Sequence, residues 1–172
     1  MAGMRGKQTV RDMVLSLGLI GIVAGFIYLF IPHEEGEPPL KRVDYSVELL
    51  TARRAASYPV AAPEGLSDSW KATSVRFSGD SFDAWHLGYR APGGEYVAVE
   101  QSTQKPSTFI DTASQGAEET KATQRIGDHT WQRYRGGQYD ALVLKEKGST
   151  TVVTGTASFE QLTKMAQALR TS

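Results

Sequence analysis

Three histidines, His33, His86 and His129, and no cysteine are the whole supply of imidazole and thiol in this 172-residue chain. A transition-metal site or a thiol nucleophile needs such groups at close spacing. No His-x-x-x-His pair occurs, His33 falls in a stretch rich in glutamate and proline, and His86 and His129 fall on separate predicted strands. Neither a metal site nor a cofactor is expected. Serines are numerous, but none stands in Gly-x-Ser-x-Gly, the turn that exposes a hydrolase nucleophile. Asp80, Asp83, Asp128 and Asp140 adjoin glycines or begin strands, where aspartate initiates turns. No run alternates oxygen ligands around a glycine as a calcium loop must. Gly93-Gly94 and Gly136-Gly137 mark hairpins rather than phosphate loops, because neither precedes a helix. No catalytic residue is assigned from the sequence. A serine, a histidine and an aspartate assembled from distant strands would be the route to an enzyme, with His86 and His129 the first to test.

Recognition chemistry has better candidates in Trp131, Arg133 and His86. Alternation along its strand puts Trp131 on one side with Arg133 and Arg135, which suggests a partly exposed aromatic beside two cations. The plainer outcome is that Trp131 packs on the sheet and the arginines are solvated. With 19 basic and 19 acidic side chains, the chain has no charge excess to recruit nucleic acid.

These residues must be positioned by an unusual pair of regions. Val14 to Ile31 is an uncharged apolar run that would span about 27 Å as a helix, close to the hydrocarbon thickness of a bilayer. Arg5, Lys7 and Arg11 precede it, opposed only by Asp12, so the N-terminus is expected in the cytoplasm and the C-terminal domain outside. A cleaved signal peptide would carry a shorter apolar core and small residues at its end, whereas this run closes on Tyr28-Leu29-Phe30-Ile31-Pro32. Gly21 and Gly25 form a GxxxG pair that could bring a second copy of the helix close, as a weak homodimer contact. The expected organisation is a cytoplasmic tail at 1–13, a transmembrane signal anchor at 14–31, a spacer at 32–43 and an extracytoplasmic domain at 44–172.

Within that domain a helix is expected over Ser46–Ser57, followed by a loop to Ser69. Alternation and β-branched content predict strands at Trp70–Ser78, Phe82–Arg90 and Glu95–Ser102. Ser107–Gln115 is a short helix, and the polar stretch Glu118–Gly127 leads to strands at Asp128–Arg135, Tyr139–Lys147 and Ser149–Thr156. Trp85, Leu87 and Tyr89 should face the core, with His86, Gly88 and Arg90 on the other side. Ser158 and Gln161 form a capping box for a last helix whose apolar stripe is Phe159, Leu162, Met165, Ala166 and Leu169. The fold class is α+β: an antiparallel sheet of about six strands with helices on one face, preceded by one N-terminal transmembrane helix.

Ser69-Trp70-Lys71-Ala72-Thr73-Ser74, Trp85-His86-Leu87-Gly88-Tyr89, Tyr96 to Ser102 and Trp131-Gln132-Arg133-Tyr134, with Thr151 to Ala157, carry a resemblance. The chain resembles the actinobacterial membrane-anchored family known as domain of unknown function 4245. That resemblance implies an actinobacterial cell-membrane protein and, loosely, a fold similar to the Mog1/PsbP-like group. It supplies no catalytic residues. The expected function is a non-catalytic extracytoplasmic domain that binds or positions an envelope component, a protein or a small ligand. The alternative is an envelope enzyme or accessory subunit with a polar site on the open sheet face.

Overall fold

The computed structural model describes residues 5–30 and 42–171. The predicted spacer lies outside them except for its last two residues, as do Ile31 and the side chains of Arg5 and Lys7. The chain divides into two compact units, Met1–Pro39 and Leu40–Ser172. The first contains helix α1, Arg5–Phe30, whose segment Val10–Tyr28 has a mean hydropathy of 1.9. That segment is long and apolar enough to cross a membrane, and a signal sequence near the N-terminus would share both properties. Its side chains are exposed, Leu17 by 73%.

The second unit is α+β. Helix α2, Ser46–Ala55, leads through β1, Ala62–Pro63, to the strands β2, Lys71–Ser78, β3, Ala84–Arg90, and β4, Tyr96–Ser102. Helix α3, Pro106–Ser114, crosses to β5, Glu118–Ile126, β6, His129–Arg135, β7, Asp140–Glu146, and β8, Ser149–Gly155. Helix α4, Phe159–Ala168, and β9, Leu169–Arg170, close the chain. The sheet has seven strands in the order β2-β3-β4-β8-β7-β6-β5, every neighbouring pair antiparallel. Two meanders therefore meet back to back at β4 and β8.

Three details depart from the sequence reading. The seventh strand, β5, occupies the polar stretch expected to be loop. Of its nine residues only Ile126 is buried, so it carries no apolar alternation, and its charged, irregular edge resists pairing with another chain. The expected loop before β2 contains β1, which pairs with β9 over two residues. Helices cover both faces rather than one. Ala52 of α2 and Leu162 and Met165 of α4 pack with Trp85, Leu87, Val99, Leu142 and Val153, whereas Phe109 and Ile110 of α3 pack on the opposite side, against Ala141, Val143 and Val152. Alternation in β7 gives each helix its own set, Leu142 for α4 and its neighbours Ala141 and Val143 for α3. Because α3 is short, it packs mainly on β7 and β8. The face formed by β2, β3 and β4 is left open there.

Candidate functional site

Residues pointing away from the core on β2, β3 and β4 meet on this open face. Register places His86 opposite Glu100 and Ser74 opposite Gly88. A bulge between Ala72 and Ser74 inserts one extra residue, so that Ala72 faces the core while Ser74 still faces outward. Ser74 Oγ lies 2.8 Å from His86 Nε2, and His86 Nδ1 lies 2.6 Å from Glu100 Oε1. An ionised carboxylate can only accept, so Nδ1 carries a proton, and in the neutral imidazole Nε2 then accepts from the serine hydroxyl. Both the His86 and Glu100 side chains retain 21% exposure, so the relay is sheltered yet reachable.

Gly88 makes room for this contact. A Cβ built on it would fall on Ser74 Oγ and lie 3.2 Å from the hydroxyl of Tyr96, so the serine and the phenol converge over the one residue that lacks a side chain. Tyr96 rests against Tyr139 with ring centroids 5.8 Å apart. Burial, with smaller contributions from Glu100 and Tyr139, pushes its phenol up to about 12, which keeps it a proton donor at neutral pH.

A groove of about 460 Å³ runs between this face and α3, with Arg76, Tyr96, Ala98, Glu100 and Phe109 among its walls. Phe82 stands on its rim with 58% of its surface exposed. The backbone there is strained: Phe82 and Asp83 take φ of 60° and 50°, a region that a bulky residue avoids. The predicted strand start at Phe82 consequently moves to Ala84. The turn is held from two sides. Phe82 O accepts from Thr103 N, Thr103 Oγ1 and Ser102 Oγ, each at 3.0 Å. Asp83 Oδ2 accepts from Ser57 Oγ at 2.6 Å and Ser57 N at 3.1 Å, and Tyr58 donates its hydroxyl to Asp83 O at 2.5 Å. Asp83 thus ties the turn to the segment after α2 instead of capping its own turn.

The other recognition candidates lie on the opposite face. Trp131 is only 4% exposed and belongs to the main core, so the exposed aromatic suggested by the sequence is a packed one. Arg133 and Arg135 are not simply solvated either. Their guanidinium groups stand over the Phe159 ring at 4.6 and 5.0 Å, and Arg133 Nη2 donates to Gln124 Oε1 at 2.5 Å. Trp131 and His129 border a second groove of about 680 Å³, whose other walls include Leu144, Ala166 and Arg170. His86 is thus brought to a carboxylate and a serine, but not to Trp131 or Arg133. Among the described residues no group of three histidine, aspartate or glutamate side chains is placed to hold a metal.

Sequence reasoning missed Ser74, Tyr96 and Phe82. Alternation put His86 and Glu100 on outward faces of their strands, but the Ser74 contact depends on a bulge and on register, neither of which alternation supplies.

The family model described as protein of unknown function (DUF4245) matches residues 5–169. No curated protein matches the chain. The chain belongs to the DUF4245 family.

Proposed function

We propose that this DUF4245 protein is a single-pass membrane protein, N-terminus in the cytoplasm, whose exported domain binds a small envelope ligand in the groove beneath α3. The basic residues Arg5, Lys7 and Arg11 support the orientation, since such flanks stay on the cytoplasmic side. The observation that carries the binding reading is Phe82, an exposed ring held on the groove rim by a backbone conformation that costs about 1–3 kcal/mol and that two separate segments, Ser57-Tyr58 and Ser102-Thr103, enforce. Strain of that kind persists where a side chain has to be presented. The span also offers a contact: Gly21 and Gly25 lie one helical turn apart, with open space at both, and would admit a second copy.

The binding reading is tested by screening a fragment library against the full chain in lipid nanodiscs. Hits should weaken at least tenfold with Phe82→Ala while the melting temperature holds. Hits indifferent to Phe82→Ala, or none, would remove the groove reading. Orientation is tested separately, because the chain lacks cysteine. A membrane-impermeant maleimide should label Thr171→Cys in intact cells and Lys7→Cys only after lysis, and the reverse pattern would overturn the topology. Unchanged crosslinking on replacing Gly21 and Gly25 by leucine would remove the dimer contact.

A further inference from the structure

We infer that Ser74 is an acyl-accepting nucleophile for carboxylic esters, with His86 its base, Glu100 the group that orients the imidazole, and the Tyr96 hydroxyl the donor to the oxyanion. The inference goes beyond ligand binding and relies on it only for the seat of the substrate.

Cross-strand polar pairs are common on exposed sheet faces, and three observations separate this cluster from ordinary surface pairing. The order of contacts is the one that nucleophile activation requires, serine to Nε2 and carboxylate to Nδ1, at 2.8 and 2.6 Å. The serine reaches its place through a bulge, a device that re-aims side chains beside functional sites. Gly88 leaves the room over its Cα that the serine hydroxyl occupies, and a phenol that stays protonated reaches the same place. Backbone N–H groups in a sheet are engaged in the ladder, so a side-chain donor is what such a site would need for the oxyanion.

The chemistry balances without any further reagent than water. Ser74 Oγ attacks the ester carbonyl carbon and passes its proton to His86 Nε2, while the carbonyl oxygen takes up negative charge facing the Tyr96 hydroxyl. The carbon–oxygen bond to the leaving group then breaks, and His86 returns the proton to the departing alkoxide. Water, deprotonated by the same nitrogen, hydrolyses the acyl-serine, releasing the acid and restoring Ser74. The groove walls select the class. The groove meets the cluster at Glu100 and Tyr96, which are among its walls as Ser74 and His86 are not. Beyond them Ala98, Ala113 and Phe109 would take an apolar acyl chain, and Arg76, opposite His86 in register, places a cation that favours an anionic carrier.

The test uses the full chain in nanodiscs and a fluorophosphonate carrying a biotin tag. Labelling should map to Ser74, vanish with Ser74→Ala, and slow about tenfold or more with Glu100→Gln, which keeps the shape but removes the charge. Tyr96→Phe should lower kcat for p-nitrophenyl butyrate about 10²-fold with little change in KM. Because no native thiol competes, Ser74→Cys gives an independent readout. At neutral pH iodoacetamide should alkylate it about tenfold faster than Ser107→Cys, an exposed control at the start of α3, and His86→Gln should erase that advantage. No labelling of the wild type, labelling at another serine, or equal alkylation of the two cysteines would overturn the proposal. If fragments still bind the groove in that event, the nucleophile fails alone and the binding reading stands.

Discussion

The two faces of the sheet are made from alternate residues of the same strands, yet they solve opposite problems. On β3, Trp85, Leu87 and Tyr89 are buried in the main core, while His86, Gly88 and Arg90 look outward. Two polar side chains on the core side are satisfied internally. Trp85 Nε1 donates to Ala61 O at 3.1 Å, and Gln101, 2% exposed, accepts from Ala61 N at 2.7 Å and donates to Thr151 at 3.0 Å. On the other side the polar groups of Ser74, His86 and Glu100 satisfy one another while still partly in water. Stability thus resides mainly on one face, which leaves the chemistry of the other free to be set by function.

Truncating one residue on each face is the strongest way to break that division. Trp85→Ala should cost about 3–5 kcal/mol, because it removes a fully buried indole and leaves Ala61 O without its donor. Ser74→Ala should stay within about 0.5 kcal/mol, since water can replace a partly exposed hydroxyl at His86. Urea unfolding of both variants measures the contrast, and losses of similar size would show that the open face is structural.

A second comparison concerns the seam where the two meanders join. A Cβ on Gly155 of β8 would collide with the carbonyl oxygen of Tyr96 and lie 2.9 Å from Val97 Cα, both on the β4 backbone. Backbone cannot swing aside as a serine hydroxyl can. Gly155→Ala should therefore destabilise by about 1–3 kcal/mol and disturb Tyr96. Gly88→Ala, whose nearest obstacle is the rotatable Ser74 hydroxyl, should cost less stability yet break the Ser74–His86 contact. Urea midpoints and fluorophosphonate labelling read the two effects independently.

The helix ends give a smaller effect. Ser158 Oγ accepts from Gln161 N at 3.4 Å, but Gln161 Oε1 has no hydrogen-bond partner, so only half of the expected capping box forms. Ser158→Ala should cost about 1 kcal/mol and Gln161→Ala near nothing, again by urea midpoint.

The apolar face was largely legible in the sequence, and the open face was not. Burial imposes a period on the chain, so Trp85-x-Leu87-x-Tyr89, Val97-x-Val99 and the α4 stripe announced themselves. β5 buries one residue and imposes no period, hence its absence from the sequence reading. His86 and Glu100 could be placed on outward faces but not side by side, because antiparallel register is set by turns, and one bulged residue in β2 decides where Ser74 points. Trp131 could be read either way, as a partly exposed aromatic on one side with Arg133 and Arg135 or as packed on the sheet; it packs, and the arginines find Phe159 on α4, a partner distant in sequence.

The smallest expected effect is one that acid removes, and it tests whether the Phe82 turn is held by charge. The Ser57 hydroxyl, and then the Ser57 N–H, hold the Asp83 carboxyl below the usual carboxylate range. A carboxyl whose pKa is lower in the folded state contributes stability above its unfolded pKa, about 3.9, and loses that contribution as the pH falls through its folded value. Asp83→Asn keeps an acceptor oxygen and tolerates the left-handed backbone, so it removes the charge and little else. The wild type should therefore be the more stable at about pH 6, and the gap in urea midpoint should close as the pH is lowered below about 4. Asp44, lowered in the same direction by Ser46, is common to both proteins and cancels from the difference. A gap that persists unchanged into acid would mean that the Ser57 contact is indifferent to ionisation. The strained turn would then be held by hydrogen bonds without a charge contribution, those to Phe82 O and the one from Tyr58 to Asp83 O among them.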